Sequence, residues 1–480
     1  MNVLLTLRVL GALLLFLAAA LLVPIPFSLY YQDGAAWSFV ASALVCLALG
    51  LALFRGCRSN KELSLRDGFA IVTFGWGLYA LMGALPFVLS GAIPSYLDAV
   101  FETMSGFTTT GSSILVEIEA LPQSMLFWRA LTHWLGGMGI IVLSLAILPM
   151  LGVGGMQLFK AEVPGPTTDR LKPRIQDTAK LLWGVYVLLT ALQTLLLMLG
   201  DMSFFDALCH AFATLATGGF STRNASVAAY DSAYIDWIIT LFMFLAGVNF
   251  TLHYQALRGR LRDIYRNEEF LFYLAITFAA TVLLVILNQG TVYHSVVDNL
   301  RFSAFQATSI MTTTGFATAD YEQWPVLAQY LLIFLMFVGG CAGSTSGGMK
   351  VARILLLFKH AHVQIYRLIH PRAVRLVKFG GTPVDREVMQ SILGFFALYM
   401  GIFVFASALM AASGLDVVSA GASVVATLGN VGPGLGSVGP VDNFSHVSDF
   451  GKTVLTGCML LGRLELFTVL VLFFPTFWRK

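Results

Sequence analysis

Charge is what this 480-residue chain has least of. Only 11% of its residues are Asp, Glu, Lys or Arg, where a soluble globular domain carries about a quarter, so the surface that water would have to solvate is missing. Cysteine is equally thin. The five, Cys46, Cys57, Cys209, Cys341 and Cys458, show no C-x-x-C spacing, which excludes a disulfide framework or a cysteine metal site and leaves them as packing residues. The eight histidines form no H-E-x-x-H pattern. "GSTSG" at 343–347 misses G-x-S-x-G by one position and has no His and acid at a suggestive spacing, so no serine nucleophile, and no enzyme, is expected. "GLGSVG" at 434–439 fits G-x-G-x-x-G without the flanking strand and helix that a dinucleotide fold needs. The chain is therefore read without a nucleotide domain, an organic cofactor or a nucleic-acid partner.

What is abundant is apolar: 57% of the residues. Runs of about 20 residues, enough to cross about 30 Å of hydrocarbon, lie near 5–29, 36–54, 68–91, 128–151, 178–199, 234–257, 268–288, 388–412 and 450–477. A tenth begins near 326, is interrupted by a Gly-rich segment and resumes at 351–368. Ten spans place both termini on one side. With that side inward, 24 of the 29 Lys and Arg fall on inward ends, as the positive-inside rule demands. The outward side keeps Arg129, Arg223, Arg301 and Lys452 beside fifteen acids, and Arg463 lies mid-span. The first run is expected to be a retained helix, its length and weak basic start being wrong for a signal peptide.

One stretch recurs. "FETMSGFTTTGSSI", 101–114, carries four Thr, three Ser and two Gly between two apolar runs. Similar half-length helices ending in a polar run and a Gly follow Asp98, Asp206, Asp298 and Asp416. Aligned on that Gly, the tetrads are Thr109-Thr110-Gly111-Ser112, Ala216-Thr217-Gly218-Gly219, Thr313-Thr314-Gly315-Phe316 and Asn430-Val431-Gly432-Pro433. All four lie outward. Irregular backbone survives at membrane depth only when buried in protein or lining a watery cavity. Four re-entrant loops can satisfy one another around a pseudo-fourfold axis, where backbone carbonyls could replace the hydration shell of a cation. The acids that open the half-length helices are read chiefly as caps, while the acidic outer face as a whole favours a cation. The rival readings are a less selective monovalent cation channel and a secondary transporter of another solute built on broken helices. Inverted repeats would support the latter, and here all four enter from one side.

"GGCAGSTSGG", 339–348, puts five Gly and three hydroxyl residues inside an apolar span, and each interior Gly costs a helix about 1 kcal/mol relative to Ala. A close packing surface of small residues is the plain alternative to a broken helix. A charge at the bilayer centre, as at Arg463, is a functional hypothesis by default, and Glu465 is a poor partner because positions two apart do not face each other on a helix.

The tetrads, the run "GGCAGSTSGGMKVARI" at 339–354 and the N-terminal helix pair together resemble the Trk/Ktr/HKT superfamily of potassium transporters over nearly the whole chain, nearest its TrkH/TrkG branch. The resemblance implies an all-α integral membrane fold of four helix–pore-helix–loop–helix repeats around a pseudo-fourfold pore, plus an N-terminal hairpin. The expected divisions are hairpin 1–66 and repeats 67–160, 161–266, 267–385 and 386–480. It implies K+ as the transported ion, coordinated at Thr110, Gly111, Thr217, Gly218, Thr314, Gly315, Val431 and Gly432. It further implies a gate formed by Gly339, Gly340, Gly343, Ser344, Thr345, Ser346, Gly347, Gly348 and Lys350, with Arg463 projecting into the pore below the filter. A homodimer in a bacterial inner membrane and a cytosolic TrkA-like nucleotide-binding partner, docking on the basic inner loops, complete the expectation.

Overall fold

The computed structural model describes residues 2–57, 64–139 and 175–479. The expected boundary at 160/161 and the inward charges Arg58, Lys61, Lys160, Arg170, Lys172, Arg174 and Lys480 lie outside those residues. Among the described residues the chain is helical apart from loops and one short hairpin, in which Lys378–Phe379 pairs antiparallel with Thr382–Pro383. Six helices among the described residues are long and apolar enough to cross a bilayer, or eight when each of two sharply bent pairs is taken as one span. The two further spans expected from sequence are the run at 128–151, which leaves the described residues after Gly139, and the interrupted run, which forms Val326–Val338 and Val351–Ile369.

The N-terminal hairpin crosses itself closely at Gly11 and Gly50. A Cβ on Gly11 would sit 2.9 Å from the Gly50 carbonyl oxygen, and one on Gly50 would sit 3.0 Å from that of Gly11, the close backbone approach that small residues allow between membrane helices. Tyr79 donates to the Leu13 carbonyl at 3.0 Å. Asp33 accepts the Ser124 N–H at 2.9 Å, which pins the hairpin tip to repeat 1.

Each repeat holds a half-length helix: Tyr96–Phe107, Phe204–Leu215, Val296–Met311 and Val417–Leu428. The second spans do not run straight, which corrects two of the spans read from sequence. Ala233–Ala246 and Phe250–Leu257 meet at 102°, and Asp449–Arg463 meets the segment from Phe467 at 111°. At the first bend Asn249 caps the new helix by accepting from Thr251 N–H. At the second, Glu465 and Leu466 both take positive φ, 56° and 55°. Repeat 3 breaks at 339–350, and repeat 1 turns π-helical over Leu135–Gly139, a form that marks functional sites more often than chance. The second spans of repeats 2, 3 and 4 are thus bent or broken. Cys46, Cys209, Cys341 and Cys458 are buried and unbridged.

Candidate functional site

The four half-length helices end alike. Their C-caps are Thr108, Ala216, Thr312 and Gly429. The next residue turns left-handed in every case: Thr109 at φ 53°, Thr217 at 55°, Thr313 at 57° and Asn430 at 53°. One further residue along, the N–H groups of Thr110, Gly218, Thr314 and Val431 reach back to the carbonyls of Ser105, Ala213, Ser309 and Ala426 at 2.9, 2.8, 2.8 and 2.7 Å. Then comes a glycine at positive φ, Gly111 at 86°, Gly219 at 79°, Gly315 at 83° and Gly432 at 106°. This pattern corrects the alignment of repeat 2. The counterpart of Gly111, Gly315 and Gly432 is Gly219 rather than Gly218, and Thr217 matches Thr109. Two adjacent glycines look interchangeable in sequence, and only the backbone angle separates them.

The loops meet as a closed ring. A Cβ on Gly111 would lie 2.1 Å from the Gly218 carbonyl oxygen, on Gly219 2.0 Å from that of Thr314, on Gly315 2.1 Å from that of Val431, and on Gly432 2.7 Å from that of Thr110. Each repeat therefore packs its glycine on the next repeat's loop, and the fourth returns to the first. Ser112 Oγ donates to the Gly432 carbonyl at 3.0 Å, and Asn430 Nδ2 donates to Thr110 Oγ1 at 3.0 Å. A β-branched residue at positive φ is a backbone outlier costing about 1–3 kcal/mol. Three Thr hold that conformation at equivalent places, so the ring over-determines them.

The Gly-rich segment lies against the ends of the half-length helices and the bends. Gly347 N–H donates to Thr313 Oγ1 at 2.6 Å, Gly348 N–H to the Gly429 carbonyl at 2.9 Å and Thr345 Oγ1 to the Leu215 carbonyl at 2.8 Å. Gly339 takes φ 76°, Gly343 74°, Gly348 70° and Lys350 73°, angles a helix does not permit. Gly340 N–H donates to Ser346 Oγ, which also meets Ser344 Oγ at 2.7 Å. Lys350 Nζ is buried and donates to the Ser346 carbonyl. Arg463 donates through Nη1 to the Thr345 carbonyl at 2.8 Å and through Nη2 to the carbonyls of Gly136 and Gly137 at 2.5 and 2.9 Å. Glu465 pairs with Arg353. The helix ends at Arg463, so Glu465 lies beyond it and its choice of partner does not follow from helical spacing.

A family model described as "TrkH: Cation transport protein" matches residues 37–285 and 269–480. The chain is 45% identical over 478 residues to the Trk system potassium uptake protein TrkH of Escherichia coli K12, covering 98% of this chain and 99% of that one. It is 42% identical to TrkH of Halomonas elongata, with both chains covered in full. The crystal structure of the potassium transporter TrkH from Vibrio parahaemolyticus superposes with a TM-score of 0.90 at 40% identity, covering all of both chains. The chain belongs to the TrkH family.

In this TrkH-family chain the ring is propped from behind by residues that sequence reasoning passed over. Arg129, counted only as an outward charge, is buried and paired with buried Glu102 at 2.8 Å. Glu102 also accepts from Ser113 Oγ and from Ile114 N–H at 3.0 Å each. Arg129 reaches the Ser221 carbonyl at 3.1 Å and lies 4.1 Å over the Phe220 ring, so one pair braces loops 1 and 2. At the place equivalent to Glu102, His210 Nε2 meets Ser221 Oγ at 3.0 Å and Gln306 Nε2 donates to the Ala319 carbonyl at 3.3 Å.

The outer acids divide in two. All four outward bases are paired, Arg129 with Glu102, Arg223 with Asp206, Arg301 with Asp236 and Lys452 with Asp98. Others, among them Asp320 and Asp442, have no basic partner among the described residues. The capping expectation needs correction in three repeats: Ser95, Ser203 and Ser295 are the N-caps and accept from the N–H of Asp98, Asp206 and Asp298. Only in repeat 4 does Asp416 itself cap. The spacing S-x-x-D carries a capping signal that was legible in the sequence.

Proposed function

We propose that this chain takes up potassium ions across a bacterial inner membrane. The closed ring of four loops is the observation that carries the reading, since an ion passing through it would exchange water for protein oxygens. Four half-length helices end at the ring and bring their partially negative C-terminal ends, about half a charge each, to it. Outer acids without basic partners raise the local cation concentration. The filter is assigned to Thr110-Gly111, Gly218-Gly219, Thr314-Gly315 and Val431-Gly432, with Thr217, like Thr109, Thr313 and Asn430, turning the chain into it.

In the same reading the segment from Gly339 to Gly348, held by Lys350 and Arg463, is the gate. Both termini are cytoplasmic, the chain pairs as a homodimer, and a cytosolic nucleotide-binding subunit docks on the basic inner loops. Hairpin 1–66 and repeats 67–160, 161–266, 267–385 and 386–480 are its units. The TrkH relatives named above are potassium uptake proteins or transporters by name, which supports potassium as the cargo. The test is growth of an uptake-deficient strain at low potassium. The wild-type gene should rescue it, and Gly315→Ser, whose side chain would strike the Val431 carbonyl, should fail or demand roughly tenfold more potassium, about 1.4 kcal/mol. Equal rescue by the two would sink the assignment.

A further inference from the structure

We propose that His133 serves as the missing side chain of the second loop and thereby sets where Gly218 sits. The inference rests on reading the four loops as a filter. In repeats 1 and 3 the second residue of the loop is Thr110 or Thr314, whose hydroxyl pairs with that of Thr108 or Thr312 at 2.8 Å. Repeat 4 has Val431 there, fully buried. Repeat 2 has Ala216 and Gly218 at the two paired positions, so both hydroxyls are gone.

Conformation does not explain Gly218. Unlike its neighbour Gly219, it does not take positive φ, so its backbone could carry any side chain. Space forbids one. A Cβ there would lie 2.0 Å from His133 Nδ1 and 2.4 and 2.5 Å from Cε1 and Cγ. The imidazole comes from Gln123–Trp134 of repeat 1, is fully buried, and stands edge-on to Phe220 with centroids 4.1 Å apart. Neither ring nitrogen has a hydrogen-bond partner among the described residues. The ring is held by shape, as a filler is. The Gly218 carbonyl in turn is what a side chain on Gly111 would strike, so the ring of His133 backs the junction between loops 1 and 2. His133 is a positioning residue, supplied by one repeat to the loop of the next.

The experiment exchanges the two groups. Gly218→Val, His133→Ala and the double variant are compared in proteoliposomes for uptake of K+ and for the K+/Na+ and K+/Rb+ ratios, with yield and elution profile as the measure of folding. Gly218→Val alone should lose at least about tenfold in uptake or in folded yield. His133→Ala should fold and lower the K+/Na+ ratio severalfold. The double variant should regain at least about fivefold over Gly218→Val in whichever quantity fell. A double variant no better than Gly218→Val, or a His133→Ala with wild-type ratios, overturns the proposal while leaving the filter reading intact. Wild-type uptake and ratios in a parallel Gly315→Ser sample remove the filter reading and this inference with it.

Discussion

The Arg463 guanidinium joins two separate elements, the Thr345 carbonyl in the Gly-rich segment at 2.8 Å and the Gly136 and Gly137 carbonyls of repeat 1 at 2.5 and 2.9 Å. Hydrogen bonds from a charged group contribute about 1.5–3 kcal/mol each. If the Gly-rich segment is the gate proposed above, losing one such tie should shift its equilibrium by at least about tenfold. We expect Arg463→Ala to raise ion flux through reconstituted protein by that factor. Arg463→Lys separates tie from barrier, because Lys keeps the charge but not the planar fork. High flux in both variants identifies the tie; high flux in Ala alone identifies the charge. Unchanged flux in folded Arg463→Ala would count against any gating role.

Gly347 offers a second handle on the same segment. A Cβ there would lie 2.3 Å from the Gly429 carbonyl oxygen, backbone that cannot swing aside. Gly347→Ala should lift the segment from the end of the fourth half-length helix and increase flux, whereas Gly457→Ala, with open space around it, should behave as wild type. Equal flux from the two would show that the segment does not bear on conduction.

The Glu102–Arg129 pair is almost completely buried on both sides. Removing one member strands the other charge, at a cost of about 3–5 kcal/mol. Arg129→Leu and Glu102→Leu should each lower the melting temperature in detergent, and the double variant should melt above both. Additive losses in the double would show that the two do not act as a pair.

Asp33 gives a pH-dependent prediction. Burial pushes its carboxyl up, but hydrogen bonds from the Ser28 hydroxyl and from the Ser124 and Ala35 N–H groups outweigh burial and hold it below its usual range. A carboxyl depressed on folding stabilises above its unfolded value of about 3.9 and loses that stabilisation as the pH falls through the folded value. Wild type should therefore weaken in acid below about pH 4, and Asp33→Asn should be less stable at neutral pH with a flatter acid limb. Parallel acid limbs in a melting series would refute the anchor.

How far the sequence carried this reading depended on where composition was extreme. Apolar runs, basic clusters and "GGCAGSTSGG" declare themselves because lipid tolerates few alternatives. The register of repeat 2 was hidden, since Gly218 and Gly219 are identical in sequence and are told apart by φ and by what each packs against. The bend at Leu464 to Leu466 carries no Gly or Pro to announce it. Arg129 read only as an outward charge because its partner Glu102 lies 27 residues away, on another helix. The Ser95, Ser203 and Ser295 caps were visible as S-x-x-D and were attributed to the wrong residue.

Because every glycine of the ring rests on the neighbouring quarter of the same polypeptide, with Gly432 returning to Thr110, no fragment emerging from the ribosome possesses the aperture. A chain without its last quarter would lack the corner at Val431 and Gly432 that meets Gly315 and Thr110. The passage proposed above therefore needs all four quarters of one polypeptide and cannot be assembled from three.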